Sequence, residues 1–481
     1  MLGARERGMK QSFDWVLVGV YLLLVLIGWV NIYSAGHTAE AGSIVDFGTR
    51  AGKQFIWILT ALGLAVFVLF VFSARLWEGV AVPVYLFVLL LLAAVIFLGV
   101  EVKGSRSWFE FGPVRFQPAE ISKISTSLML AMVMGRLGFK MGRAKDFLTV
   151  VAVLAVPMMI ILAEKETGSA LVYLGFIFVM YREGLSGWLL TLLGSCVLLF
   201  ILTLTASPYV AVLVLTAIAV LSNAVVSGRF WKWTLWGGLF IAAFALLAWG
   251  LEKGYLPALV AKIEPMWVLI GTLAVVVTVM AWRCFRRPNR FLVHSILGFL
   301  GGLVLIFSVD FIFDHVMQEH QRKRIEVLLG MKEDPSGVGY NVHQSMIAIG
   351  SGRVDGKGYM QGTQTAFGFV PEQSTDFIFC TVGEEWGFVG CLIVIALYVF
   401  MILRILHDAE ASREAFTRIY GYCVAACIFM HLFINIGMTI GIMPVIGIPL
   451  PLLSYGGSSL WAFTLLIFIF IALDHQEKKY F

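Results

Sequence analysis

The sequence predicts an all-α fold, a polytopic transmembrane helical bundle with one large extracytoplasmic loop. Three observations carry that prediction. Of 481 residues, 60% are hydrophobic and 14% are charged, against roughly 45–50% and 25% in soluble domains. Mean hydropathy is +0.90. The apolar residues fall in solid blocks of roughly 17–25, the length a helix needs to cross a bilayer, and they lack the short alternating pattern of a transmembrane β-barrel. Soluble, disordered and disulfide-stapled secreted folds are excluded on the same grounds.

About fourteen spans follow from these blocks: 15–34, 53–72, 78–100, 117–135, 146–163, 168–181, 186–206, 208–226, 231–250, 265–282, 291–313, 380–403, 419–440 and 457–473. The first follows a basic stretch and reads as an uncleaved helix rather than a signal peptide. The fourth carries charge and the sixth is short. Basic residues mark the cytoplasmic side of a membrane. A cytoplasmic N-terminus puts 20 of the 35 Lys and Arg residues in mostly short inner loops. Both termini then lie inside, and the long polar segment 314–379 lies outside. The net charge of +5 implies no nucleic-acid partner. The six cysteines show no ligand spacing, and Cys423 and Cys427, four apart, read as packing residues.

The outer segment is rich in glycine, with nine in the 39 residues from Gly330 to Gly368. That density predicts turns where backbone approaches a ligand. Interspersed Tyr340, Ile347, Tyr359 and Phe367 predict an ordered loop packed on the membrane.

Ionisable residues at membrane depth are costly and mark functional sites by default. Glu120 and Lys123 share one helical face, as an internal ion pair locking the bundle or as the lining of a polar cavity. Pro118 suits the first turn of that helix. A short loop with Arg106, Trp108 and Arg115 precedes it. Glu164-Lys165-Glu166 reads as a solvated turn. Glu384 and Glu385 begin the twelfth span, and His431 and Asn435 form an interhelical hydrogen-bonding device. The segment Pro444–Ser459 holds three prolines within eight residues, so it is not a regular helix. At membrane depth such backbone must be buried in protein or face a water-filled cavity. No metal-ligand spacing appears. These residues leave two classes open: an enzyme acting on a lipid-linked substrate, or a transporter.

Several motifs resemble one family. They are Gly104-Ser-Arg106-Ser-Trp108, Val114-Arg115-Phe116-Gln117-Pro118-Ala119-Glu120-Ile-Ser-Lys123, Asp334-Pro-Ser-Gly337-Val-Gly339-Tyr340 and Gln344-Ser345-Met-Ile-Ala-Ile-Gly350. Further along come Pro371-Glu372, Thr375-Asp376-Phe377, Glu384-Glu385-Trp-Gly387 and, most specific, Pro449-Leu-Pro451-Leu-Leu-Ser454-Tyr455-Gly456-Gly457-Ser458-Ser459. Together they are similar to the shape, elongation, division and sporulation (SEDS) proteins, and Ile448-Pro449-Leu450-Pro451 resembles the elongation branch. The resemblance covers about 1–187 and 291–481. It divides the chain into N-terminal SEDS spans (1–185), additional transmembrane hairpins (186–290, about four spans beyond the family's ten) and C-terminal SEDS spans with the outer loop (291–481). A second departure is Glu164-Lys165-Glu166-Thr-Gly-Ser, where the family usually has Gln-Pro-Asp-Leu-Gly-Thr.

The resemblance implies a peptidoglycan glycosyltransferase that polymerises lipid II in the bacterial cytoplasmic membrane, with a lipid II flippase as the alternative. It places the general base at Asp334, whose pKa the neighbouring Glu333 would raise. It implies substrate contacts at Arg106, Arg115, Lys123 (oriented by Glu120), Glu166, Arg322, Arg324, Gln344, Ser345, Lys357, Glu372, Ser454 and Ser458, with juxtamembrane anchoring as the alternative role of Arg322 and Arg324. The implied partners are a class B penicillin-binding protein and the elongation machinery. A divalent cation could share the pyrophosphate charge, although the sequence shows no dedicated site for one.

Overall fold

Backbone polar groups in lipid must be satisfied within their own segment, so long apolar runs become helices. In the computed structural model of the protein, residues 13–36, 44–102, 104–112, 114–253, 264–286, 289–311, 313, 322 and 339–480 are described, and most are helical. They form two units: one from residues 1–185 and 334–481, the other from 186–333.

The first unit opens with α1 (Trp15–Ala35), whose first turn is capped by the Asp14 carboxylate accepting from Val16 and Leu17 N–H, each at 3.1 Å. Thr49 caps α2 (Arg50–Val71) in the same way. After α3 (Ala74–Leu98) the chain forms a small antiparallel meander that the sequence reading passed over as a plain loop. Its strands are β1 (Val100–Val102), β2 (Ser105–Phe111) and β3 (Val114–Phe116), in the order β1-β2-β3. Opposite charges pair across it, Glu101 with Arg106 and Glu110 with Arg115. Then come α4 (Pro118–Met134), α5 (Ala144–Ala163), α6 (Thr167–Val172) and α7 (Phe176–Arg182), the last two joined by a 3₁₀ turn at Tyr173–Gly175.

The second unit holds α8 (Gly187–Thr205), α9 (Pro208–Val226), α10 (Phe230–Glu252), α11 (Pro265–Arg286) and α12 (Arg290–Phe311). Its core gathers Leu199, Val212, Leu215, Phe244, Leu269 and Phe299. Inside it the Tyr209 hydroxyl donates to the Phe244 carbonyl and Asn223 Nδ2 donates to Ser295 Oγ, both at 2.8 Å.

The first unit resumes with α13 (Tyr340–Ser351), the short α14 (Thr363–Ala366), α15 (Ile378–Ala411), α16 (Ala415–Thr439) and α17 (Gly457–Tyr480). Among the described residues twelve helices are long and apolar enough to span a bilayer. The other two expected spans fall short for identifiable reasons. Helix α4 has 17 residues and carries Glu120, Lys123 and four hydroxyl side chains. The stretch Thr167–Arg182 is short and interrupted by the 3₁₀ turn.

Helix α16 is buried along most of its length and packs on α4, α15 and α17. Two large polar side chains in this core find partners: Tyr21 O–H meets Thr464 Oγ1 at 2.8 Å, and Tyr398 O–H donates to the Pro451 carbonyl. The C-terminal ends of α15 and α17 are tied to the start of α1 by ion pairs. Arg404 bridges Asp14 (2.8 Å) and Asp408 (3.5 Å), while Lys478 bridges Asp408 (3.5 Å) and Asp474 (2.7 Å).

Helix α15 is broken near its other end. Gly387 sits at φ 64°, ψ −160°, a conformation that costs glycine least. A regular helix would pair Glu384 O with Phe388 N–H and Glu385 O with Val389 N–H. Instead Glu384 O accepts from Lys357 N–H and Glu385 O from Gly358 N–H, both at 3.0 Å. Phe388 N–H donates to Arg353 O at 2.9 Å and Val389 N–H to Val354 O at 3.2 Å. A β-carbon on Gly352, Gly356 or Gly387 would collide with backbone atoms across this junction. Here the loop glycines serve the approach of loop backbone to helix backbone.

Candidate functional site

The first turns of α4, α15 and α17, the α5–α6 connection and the Pro-rich segment gather at one end of the first unit. Proline at the first position of α4 leaves the helix start intact, and three residues of spacing bring Glu120 and Lys123 together. Lys123 Nζ lies 2.8 Å from Glu120 Oε1 and 2.8 Å from His431 Nε2. All three side chains are buried, with Lys123 and Glu120 each 2% exposed and His431 1%. The opposite charges and the two hydrogen bonds of Lys123 hold an ion pair this deep together, while Glu120 Oε2 has no hydrogen-bond partner among the described residues.

The adjoining layer is carboxylate-rich. Glu166 accepts from Gln117 Nε2 at 2.5 Å and Ser169 Oγ at 3.2 Å. Gln117 in turn donates its backbone N–H to Ser458 Oγ at 3.2 Å, joining α4 to α17. Burial raises the Glu166 carboxyl above its ordinary range, partly offset by those bonds. Glu164 is not in a solvated turn, as the sequence suggested. It ends α5, its main-chain carbonyl accepts from Arg106 N–H at 3.3 Å, and its side chain is 2% exposed. Among the described residues neither carboxyl oxygen has a hydrogen-bond partner. Burial first, and the Glu166 carboxylate second, push this carboxyl up to about 8.

The Pro-rich segment is irregular and buried in protein, one of the two settings allowed at that depth. Side chains take up its backbone groups. Asn435 Nδ2 donates to Ile448 O at 2.6 Å and Asp376 O at 2.8 Å, and His431 Nδ1 lies 3.2 Å from Pro449 O. Ser454 Oγ accepts from Leu450 N–H at 2.8 Å and donates to Thr375 O at 2.5 Å. Tyr455 N–H donates to Ser374 O, and Gly456 N–H to Gln54 Oε1. Next to this segment, a cavity of about 400 Å³ is lined by Tyr33, Arg50, Val370, Glu372 and Gln373 among others. Arg50 donates to Ser374 Oγ at 2.5 Å, and Gln373 to the carbonyls of Ala35 and Thr365.

The two adjacent glutamates of α15 face different partners. Glu384, fully buried, accepts from Lys357 Nζ at 2.6 Å, Gln364 N–H at 2.8 Å and Thr365 N–H at 2.9 Å. Glu385 accepts from Ser34 Oγ at the end of α1.

The structure thus joins Glu120 and Lys123 with His431 in one hydrogen-bonded group, and Glu166 and Ser458 through Gln117 in a second. Ser345 and Ser454 are buried, and their hydroxyls donate to the carbonyls of Thr439 and Thr375. Lys357 is held by Glu384, and Glu372 lines the cavity. Arg106 and Arg115 stand exposed on the meander in their cross-strand pairs. Gln344 is half-buried on α13. Arg322 belongs to the second unit, its guanidinium 5.1 Å from the Phe313 ring centre. Asp334, Glu333 and Arg324 lie outside the described residues. Among the described residues no three His, Cys, Asp or Glu side chains are grouped to hold a metal. Sequence reasoning missed Arg50, Gln54 and Gln373, which carry no local pattern. It saw His431 and Asn435 as bonding residues without finding Lys123 as a partner.

The family model described as "cell cycle protein", named for FtsW, RodA and SpoVE, matches residues 14–228 and 266–479. The chain belongs to the FtsW/RodA/SpoVE family. Among relatives in the family, the peptidoglycan glycosyltransferase RodA of Treponema pallidum is 31% identical over 461 residues, covering 95% of this chain and 96% of its own. The peptidoglycan glycosyltransferase MrdB of Escherichia coli K12 is 31% identical over 453 residues, covering 94% and 92%. Among solved folds, a chain from a peptidoglycan synthase complex that coordinates polymerization and crosslinking superposes with a TM-score of 0.60 at 23% identity, covering 97% of this chain and 99% of its own. The FtsW/RodA/SpoVE match passes over 229–265, a stretch that contains α10.

Proposed function

We propose that this chain is a peptidoglycan glycosyltransferase that polymerises lipid II into glycan strands during cell elongation and shape maintenance. The observation that supports this most directly is the family match through both halves of the chain, with relatives named as peptidoglycan glycosyltransferases aligned over nearly its full length. In this reading the acceptor sugar hydroxyl attacks the anomeric carbon of the donor, Asp334 takes its proton, and undecaprenyl pyrophosphate departs with the bonding pair. A single displacement inverts the α-linked donor to a β product. Arg106, Arg115, Lys357, Arg322 and Arg324 supply cations for the pyrophosphate, while Glu166, Glu372 and Gln344 offer polar contacts. Buried Glu120, Lys123, Ser345 and Ser454, with half-buried Ser458, shape the floor of the site.

The same reading has both termini in the cytoplasm, the 314–379 loop outside, and residues 186–290 as hairpins added to a ten-span core. Its partner is a class B penicillin-binding protein within the elongation machinery. The likeness in fold to a chain of a polymerising and crosslinking complex agrees with that.

Purified protein incubated with lipid II in detergent tests the reading. Polymer is expected from the wild type and none from Asp334→Asn, with unchanged membrane insertion. Normal polymerisation by Asp334→Asn would remove Asp334 from its role. No polymer from the wild type, with or without its transpeptidase partner, would favour lipid II translocation instead.

A further inference from the structure

The chemistry of its neighbours assigns the state of His431. Nδ1 faces the Pro449 carbonyl oxygen at 3.2 Å, an atom that only accepts, so Nδ1 carries the proton. Nε2 lies 2.8 Å from the Lys123 ammonium, which only donates, so Nε2 offers its lone pair. The imidazole is therefore neutral, with its tautomer fixed from both sides. A second Lys123 N–H goes to Glu120 Oε1 at 2.8 Å. The ammonium also sits 5.2 Å from the centre of the Phe463 ring, which meets His431 edge to face at 4.8 Å. One turn along α16, Asn435 takes the carbonyl of Ile448, the residue before Pro449. A single face of α16 therefore holds both the buried cation of α4 and two successive carbonyls of the Pro-rich segment.

We propose that His431 is a positioning residue for glycosyl transfer: it fixes the Lys123 ammonium and ties it to the Pro-rich segment at Pro449. The proposal rests on the glycosyltransferase reading above. Among the described residues Lys123 has two polar partners at this depth, Glu120 and His431. Losing one leaves a buried N–H without an acceptor and frees the cation to shift toward Glu120. A displacement of about 1 Å in a group organising a reaction costs up to about 10²-fold in rate. Substrate contacts at the exposed rim are untouched, so the loss falls on turnover rather than on binding.

The test is steady-state polymerisation of lipid II by the purified full-length protein over a range of lipid II concentrations. His431→Met keeps a linear side chain without a strong donor or acceptor. Its kcat is expected to fall roughly 10- to 100-fold with KM within about threefold. His431→Gln can accept from Lys123 through Oε1 and donate to Pro449 O through Nε2, so its kcat is expected within about fivefold of wild type. His431→Met combined with Lys123→Met is expected to be no slower than Lys123→Met alone, because the two residues act as one unit. The proposal is overturned if the glutamine variant is as slow as the methionine variant, or if the two methionine substitutions multiply their losses. Should His431→Met yield no monodisperse protein, the glutamine variant decides alone: a loss beyond tenfold overturns the proposal. A wild-type protein that makes no polymer overturns the glycosyltransferase reading itself.

Discussion

Replacing Glu384 by glutamine should loosen the loop that it grips while leaving the shape of the site almost unchanged. The carboxylate is fully buried. One oxygen accepts from Lys357 Nζ at 2.6 Å and Gln364 N–H at 2.8 Å, the other from Thr365 N–H at 2.9 Å. Glutamine keeps one acceptor oxygen, so its amide nitrogen must face an N–H it cannot bond. The lost bond to a charged acceptor is worth about 1.5–3 kcal/mol, and leaving a buried donor unsatisfied adds about 1–3 kcal/mol. The side chain of Lys357 is 26% exposed, so water replaces part of its lost ion pair and that term stays small. The lower part of that range, about 3 kcal/mol, corresponds to roughly a 100-fold rise in local opening. Amide hydrogen exchange followed by mass spectrometry over peptides containing Gln364 and Thr365 reads this directly. Protection there should drop about 100-fold in Glu384→Gln, with peptides from α16 unchanged. A change below about fivefold would refute the idea that this carboxylate holds the loop.

Three further outcomes are expected. The Glu164 carboxyl keeps its proton up to about 8, against an ordinary 4.5. The folded state therefore binds the extra proton across that window, and stability should decline as pH climbs from about 4.5 to 8. Thermal unfolding of Glu164→Gln in detergent should show a shallower decline, and parallel curves for variant and wild type would count against the buried carboxyl. Arg404→Met takes the ion-pair partner from Asp14 and leaves Asp408 and Asp474 sharing Lys478. With Arg404 about one-third exposed, the cost is about 1–2 kcal/mol, seen as a lower melting temperature in low salt; an unchanged melting curve would argue against the tie. Asn435→Leu strips the partner from two carbonyls, Ile448 and Asp376, at about 2–4 kcal/mol. Proteolysis within 444–456 should accelerate, and resistance equal to wild type would mean that the segment is held by other means.

Most of the helical architecture was legible in the sequence because lipid imposes one rule on every span. Exceptions came where polarity or local geometry defeated that rule. Helix α4 trades apolar length for Glu120, Lys123 and hydroxyls that serve the interior. The β meander left no hydropathy signal, since three short strands with alternating charge look like any polar loop. In the site, motif and spacing located Glu120, Lys123, Glu166 and the Pro-rich segment. They did not reveal that His431, 308 residues from Lys123 in sequence, is its second partner. Contacts between distant segments are written in the packing of helices, and a hydrophobic pattern records only which face is buried. The Glu164 side chain misled for a related reason: an acid at a helix end reads as solvated until its neighbours are placed.

The break in α15 has a consequence for vertical register. Two intrahelical bonds are given up there, and the loop backbone between Arg353 and Gly358 supplies four in their place. The height of this part of the loop is therefore set by the depth at which α15 sits, not by the length of chain on either side. Sliding α15 by one residue would mispair all four bonds and bring β-carbons against the Gly352 and Gly356 backbone. The helix thus works as a ruler for the loop, and Gly387 is the mark from which it is read.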